Sequence, residues 1–418
     1  MGSAGRRMPT LACRRRAGWY GRTAAAGTLG LVACAGLAIP LTGPAAAATA
    51  QPGLLARAQA APAWSIQQTP DRSPTENLLN GVSCASATAC TAVGASFGPG
   101  QLPHSLAESW NGTIWAIHKV PTPPGAAYTF LYDVSCASSG CVAVGDDSNG
   151  ALAAARTTAS WSVVPAVNPA TAYTASLEGV SCLSSADCMA VGWYYVASGG
   201  TLTAFSLAES WNGTSWSLRP TPNPQGSTHT VLRAVSCTSA TACMAVGWYE
   251  KGTSNNLPLA ESWNGSQWSI RSAPAPAGTT SSALAGVACT SATACTAVGG
   301  SNTGATSAQP LAEVWDGTAW SIQATAGLGS GSAFFSGIAC PSASACTAVG
   351  VRGALPLIEQ RTTGPGGTPE WSVELAANPN GSQATTLEGV SCTSGTACTA
   401  AGYYDGTAIL TLAERHSG

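Results

Sequence analysis

Fourteen of the sixteen cysteines fall into seven close pairs: Cys84/Cys90, Cys136/Cys141, Cys182/Cys188, Cys237/Cys243, Cys289/Cys295, Cys340/Cys346 and Cys392/Cys398. Thiols this near one another either bind a metal or oxidise. Four or five residues separate the partners and no His lies close by, which is not the C-x2–4-C…H-x3–5-H spacing of a zinc site. The pairs are read as disulfides, each closing a hairpin loop and worth about 2 kcal/mol in the chain-entropy model. So many regularly placed cysteines also belong to an oxidising, exported setting rather than to the cytosol.

Carboxylates offer a second chemistry. Glu108, Glu209, Glu261, Glu313, Glu359 and Glu414 recur in an L-x-E or L-I-E context, and glycoside hydrolysis needs two carboxyls roughly 5–10 Å apart. Equivalent positions in successive copies of a repeat are held apart by the rotation between copies, and Ala154 replaces the Glu in the second copy. These side chains are therefore expected to make structural hydrogen bonds. His104, His118, His229 and His416 sit in no recurring motif, and no G-x-S-x-G signal supplies an activated Ser. No catalytic residue, metal ligand or cofactor is assigned. The enzymatic alternative is a carbohydrate-active hydrolase or lyase using Asp146, Asp147 or Glu250.

The elements that carry these residues follow from the repeat. First cysteines are spaced 52, 46, 55, 52, 51 and 52 residues apart, a period that marks a propeller or solenoid. In the third copy four strand-length apolar runs stand out: Leu177 to Cys182, Cys188 to Tyr195, Phe205 to Trp211 and Ser215 to Leu218. Ser/Ala/Thr-rich loops join the first two, and W-N-G-T-x-W joins the last two, where Asn-Gly predicts a type I′ turn. Four antiparallel strands repeated seven times predict an all-β, seven-bladed β-propeller. The seventh copy stops after its third strand, while Ala63-Trp64-Ser65-Ile66 matches the fourth strands Ser215-Trp216-Ser217-Leu218 and Gln267-Trp268-Ser269-Ile270. This N-terminal strand is expected to complete the last blade and close the ring. The hairpin Trp residues, paired as Trp110/Trp115, Trp211/Trp216, Trp263/Trp268 and Trp315/Trp320 and single as Trp161 and Trp371 in the second and sixth copies, recur too regularly for sugar platforms and are expected to pack blade on blade. The sequons at Asn111, Asn212, Asn264 and Asn380 are read as incidental, because Asp316-Gly317-Thr318 holds the same hairpin position.

With A-V-G(-G) ending the second strand, as in Ala297-Val298-Gly299-Gly300, and an E-x-W-[ND]-G-x-x-W hairpin, the chain resembles the Kelch-like propellers. The resemblance covers nearly the whole chain after residue 50 and is closest to secreted bacterial propellers with one disulfide per blade. It implies the fold and no activity. The copper oxidases among Kelch-like propellers use an unpaired Cys, whereas every Cys after residue 50 here has a partner.

On a symmetric scaffold, function belongs where copies differ, and they differ most after the second strand. There stand Asp146-Asp147, Trp193-Tyr194-Tyr195, Trp248-Tyr249 and Tyr403-Tyr404, on loops that reach one common rim. Aromatics beside polar groups can stack on a ligand while their polar tips bond it. These nine residues form the expected ligand site; inward packing of Trp193 and Trp248 is the competing reading.

Only 9% of the 418 residues are charged. Residues 1–50 hold six Arg and no acid, so the remainder has 11 basic against 19 acidic groups, a net of −8. That argues against a nucleic-acid partner. Arg6 to Arg22, an apolar run to Leu41 and Ala48-Thr49-Ala50 read as a signal peptide over 1–50, followed by a linker over 51–62 and one propeller domain over 63–418. Retention of the apolar run, or lipidation at Cys34 within Leu31-Val32-Ala33-Cys34, would anchor the protein to the membrane instead. The sequence thus predicts a secreted, monomeric binding module whose partner is an extracellular glycan or protein; a structural envelope protein is the further alternative.

Overall fold

The computed structural model describes residues 64–417, apart from 138–139, 158–159, 253–254, 305–306, 329–330 and 365–366. The signal peptide and linker expected over 1–62 lie outside the described residues. Seven blades of four antiparallel strands follow one another. Blade 3, for example, comprises Thr174–Ser184, Asp187–Ser198, Thr201–Trp211 and Trp216–Leu218. Blade 7 is assembled from both ends of the propeller: Ala384–Ser394, Ala397–Asp405 and Ile409–Ser417 are completed by Trp64–Gln67. Trp64 pairs with His416 and Gln67 with Ala413, and Trp64 is fully buried. The predicted ring closure is present.

Apolar alternation along each strand gives a blade two buried faces, and neighbouring blades share a core. Val142, Val144 and Ala153 of blade 2 pack with Leu177, Val180, Leu207, Trp211 and Trp216 of blade 3. Met189, Val191 and Ala208 of blade 3 pack with Leu232, Leu259, Trp263 and Trp268 of blade 4 in the same way. The hairpin Trp residues, paired in blades 3 and 4, thus cover the blade before them. Burying a side chain of this size contributes about 2–3 kcal/mol.

Each cysteine pair is a disulfide between the first two strands of its blade, with Cα atoms 3.9–4.1 Å apart. The expected bridges across the first hairpin of each blade are present, and the second cysteine of every pair also belongs to a wider core. The first members are half-buried, but Cys90, Cys141, Cys188, Cys243, Cys295, Cys346 and Cys398 are buried, each within a core shared between blades. The reason is their place on the second strand, which has a strand on either side within the blade and a neighbouring blade against its face. Four of these sulfurs lie 3.6–3.8 Å from a Thr hydroxyl on the second strand of the preceding blade: Cys90 from Thr399, Cys141 from Thr91, Cys346 from Thr296 and Cys398 from Thr347. The disulfides therefore anchor blade to blade as well as closing loops.

Inter-blade hydrogen bonds adjoin them. The amide of Cys136 donates to Ser83 Oγ of blade 1 at 2.9 Å, Cys182 to Ser135, Cys237 to Ser181, Cys289 to Ser236, and Cys84 to Ser391 of blade 7.

The hairpin between third and fourth strands differs from the two-residue type I′ turn expected. Trp110 pairs with Trp115, which leaves a four-residue loop. Asn111 organises it by accepting from the amides of Thr113 and Ile114 at 2.9 and 3.0 Å, and Gly112 supplies φ +97°. A carboxylate serves equally well: Asp316 accepts from the hydroxyl of Thr318 and from the amides of Ala319 and Thr318, and these bonds hold it at about 2, below its ordinary value.

Candidate binding site

Two hairpins of each blade share one face of the ring. A Cβ on Gly112 would lie 3.2 Å from Thr88, one on Gly213 2.8 Å from Ala186, and one on Gly265 2.7 Å from Thr241. The turns after first and third strands therefore sit side by side on the disulfide face. The loops after second strands, and the linkers between blades, emerge on the other face.

The A-V-G glycine shapes that face. In every blade a bulge interrupts the first strand opposite it, for instance between Leu177 and Gly179. The bulged backbone presses on the second strand, so a Cβ on Gly192 would lie 2.0 Å from the Ser176 carbonyl oxygen, and one on Gly145 1.9 Å from that of Phe130. Only glycine fits. The bulged residues are Asn80, Tyr132, Glu178, Arg233, Ala285, Ser336 and Glu388. First strands are the innermost strands of a propeller and surround its axis, so this one position per blade lines the central opening with six residue types among seven copies, Glu recurring in blades 3 and 7.

Glu178 is the hub of that opening. It is buried, its Oε1 accepts from Trp193 Nε1 at 3.0 Å and from Ser176 Oγ at 3.2 Å, and its Oε2 pairs with Arg233 of blade 4 at 2.9 Å. In blade 2, Tyr128 Oη donates to Asp146 Oδ2 at 3.1 Å, and Tyr132 also hydrogen-bonds Asp146. Burial first, then the negative charge of Glu178, pushes Asp146 up to about 7. Asp147 is buried and accepts from the Asn149 amide at 2.5 Å; burial raises it too.

The aromatics divide by strand alternation. Trp193 and Tyr195 point one way, their rings 4.9 Å apart, and Tyr195 lies 6.1 Å from His229 of blade 4. His229 in turn pairs with Glu250 at 3.0 Å. Tyr194 points the other way, stacks on Phe205 at 5.5 Å and packs against the core shared with blade 2. Tyr249 and Tyr404 pack against inter-blade cores likewise. Trp248 and Tyr403 are half-buried; Tyr403 belongs to blade 7, across the ring from blades 3 and 4. The structure therefore brings Asp146, Trp193 and Tyr195 into one network, places Tyr194, Tyr249 and Tyr404 against cores, and sets Tyr403 apart.

Sequence reasoning missed Glu178, Arg233, Tyr132 and His229. The signal was present: within L-x-[GAD]-V, or F-S-G-I in blade 6, the x position is the variable one inside a constant frame. Without the bulge, it reads as one more strand residue.

The six third-strand glutamates are fully buried. Among the described residues no group of His, Cys, Asp and Glu is placed to hold a metal, and no helix is long and apolar enough to cross a membrane.

No protein-family model matches the chain, and no curated protein matches it. Solved structures do. YCF48 bound to D1 peptide is 14% identical over 85% of this chain and 96% of its own, with a TM-score of 0.53. YCF48 from Cyanidioschyzon merolae is 13% identical over 84% of this chain and 98% of its own, with a TM-score of 0.50. At such identity the likeness carries the fold, and the chain is a β-propeller with one disulfide per blade.

Proposed function

We propose that this protein is an exported binding module that engages a polypeptide segment at the axial opening on the face bearing the loops after the second strands. The observation that carries this reading is the asymmetry of that opening. Blades 2 to 4 supply Tyr132, Asp146, Glu178, Trp193, Tyr195, His229 and Arg233, and blade 7 adds Glu388 and Tyr403, whereas the residue after the A-V-G glycine is Ala95, Gly300 or Val351 in blades 1, 5 and 6. A ring needs no such concentration of half-buried aromatic and ionisable groups for stability. A structurally similar propeller was solved with a bound peptide, which supports a polypeptide over a small metabolite. Seven intrachain disulfides fit an oxidising compartment.

Cross-linking with a photoreactive group at Thr201, on the exposed rim of blade 3, tests the reading in culture. Polypeptide adducts lost with Trp193→Ala are the expected result. A glycan as the sole adduct replaces the reading with the carbohydrate one, for which half-buried Trp193 and Tyr195 would be stacking platforms. Retention of the protein in the reducing cytosol removes the exported setting.

A further inference from the structure

Charge is sparse on this molecule, and where it gathers carries information. Blades 2 to 4 bring Asp146, Asp147, Glu178 and Glu250 to the loop-bearing side, against Arg233 and Lys251. Arg233 is already committed to Glu178 at 2.9 Å. An arriving anion would meet a carboxylate-rich mouth, and so would be repelled.

Aromatic rings run along this same mouth in a near-continuous series. Phe97 of blade 1 meets Phe130 of blade 2 at 6.3 Å between centroids, Phe130 meets Tyr132 at 4.8 Å, Trp193 meets Tyr195 at 4.9 Å, and Tyr195 meets His229 at 6.1 Å. The acids are threaded through it. Phe130 is the register partner of Asp146, Tyr128 donates to Asp146, and Trp193 donates to Glu178. Tyr128, Phe130, Tyr132, Trp193 and Tyr195 are all half-buried, so solvent reaches the rings, and behind them Asp146 Oδ1 is buried with no hydrogen-bond partner among the described residues. Ring faces carry negative electrostatic potential and attract cations within about 6 Å. Adjoining carboxylates add to that potential in surroundings of reduced dielectric.

We infer that this mouth receives a positively charged side chain, Lys or Arg, from the bound polypeptide, seated against the rings of blades 2 and 3 with Asp146 as its counter-ion. The inference rests on the peptide-binding reading above and adds the chemistry of the residue that enters. Asp146 suits the role better than Glu178, whose two oxygens already face Arg233, Trp193 and Ser176. Its burial beside another acid, which holds it near 7, means that an incoming cation relieves a carboxylate otherwise poorly accommodated.

The test uses the folded propeller with its disulfides intact and four synthetic decapeptides, Gly/Ser-rich and identical except for a central Lys, Arg, Glu or Gln. Binding is read by calorimetry and by Trp fluorescence. Lys and Arg peptides are expected to bind at least tenfold more tightly than Gln or Glu peptides, with the preference shrinking as salt rises. Asp146→Asn should reduce the preference about tenfold, and Tyr195→Leu, which leaves the carboxylate in place, should weaken Lys and Arg peptides alone. Thermal melts at wild-type temperature establish that both variants are folded. Equal binding of all four peptides overturns the cation inference and leaves peptide binding standing. Absence of binding by any of them overturns both.

Discussion

The backbone N–H of Val167 donates to Glu209 Oε2 at 2.9 Å, so a carboxyl on the third strand of blade 3 holds the linker arriving from blade 2. Ala326 to Glu359 and Ala377 to Glu414, both 3.0 Å, repeat the arrangement in blades 6 and 7. In each case the donor stands six residues after the Trp of the preceding fourth strand. At that offset the other four linkers have Pro70, Pro121, Pro222 and Pro274, and proline has no N–H to give. The blades they enter hold Glu108, Ala154, Glu261 and Glu313. One has lost the carboxyl, and the other three carry carboxyls with no hydrogen-bond partner among the described residues.

Removal from water raises all six glutamates, to about 7 where a linker amide compensates and to about 8 at Glu108, Glu261 and Glu313. Asp71 adds to the effect at Glu108. A carboxyl raised in the folded state contributes stability that is fully present below its unfolded value, near 4.5. That contribution is lost as pH climbs through the folded value. Melting temperature is therefore expected to fall between pH 5 and 8. Glu261→Gln with Glu313→Gln should flatten the slope, each removing a pH-dependent part on the order of 2 kcal/mol. Parallel melting curves for wild type and the double variant across that range would sink the idea.

The Ser ladder between blades has two gaps. Ser precedes the first Cys in five blades, but blades 5 and 6 have Ala288 and Ala339, which cannot accept from the amide of the next Cys. Ala288→Ser and Ala339→Ser are expected to stabilise the ring by about 0.5–1.5 kcal/mol each, and Ser181→Ala to cost about 1 kcal/mol. Urea midpoints of the three variants check this; stabilisation by neither Ser would show that these amides are already satisfied.

Much of this architecture is legible in the sequence because repetition averages out local ambiguity. Cysteine spacing gives the period, W-N-G-T-x-W gives a hairpin, and a fourth-strand motif with no blade of its own gives the closure. The site is harder to read. Trp193 and Tyr194 are adjacent letters, yet strand alternation sends one to Glu178 and the other to a core. Glu178 and Arg233 meet only because a bulge in each first strand turns the same position toward the axis, and a bulge is a register shift that no single residue type announces. Cys84 and Cys90 read as equal halves of a loop staple, and only the neighbouring blade reveals that Cys90 is a core residue. Pro222 and Glu261 lie in the same repeat but carry meaning only once Val167 and Glu209 have shown what that position does.

Each disulfide closes a loop of six or seven residues, and the chain-entropy model assigns it about 2 kcal/mol. The buried member, such as Cys188, also belongs to the inter-blade core. Cys182→Ser with Cys188→Ser should therefore cost more than the loop closure alone, about 3 kcal/mol in all. A thiol assay under denaturing conditions should find none of the seven pairs reactive in the untreated propeller. Reaction of most of the fourteen cysteines would overturn the disulfide assignment and the oxidising compartment together.

Ring closure is completed by one short strand. Trp64 is fully buried, lies 5.5 Å from the His416 ring and packs with Leu387, Leu412 and Ile358. Blade 7 takes its fourth strand from Trp64–Gln67, whose backbone pairs with residues 413–416, and Thr69 and Asp71 just after it hydrogen-bond Thr411 of the same blade. Trp64→Ala leaves that ladder intact and removes only the packing, at an expected cost of about 3–5 kcal/mol. Deleting residues 1–67 removes both, and also exposes the edge of Ile409–Ser417 to pairing with another chain. The truncated protein is expected to associate through that edge, while Trp64→Ala stays monomeric but melts earlier. Sedimentation and melting measured on both separate the contributions. A truncated chain that is monomeric and as stable as the full one would mean that the ring does not rely on this strand to close.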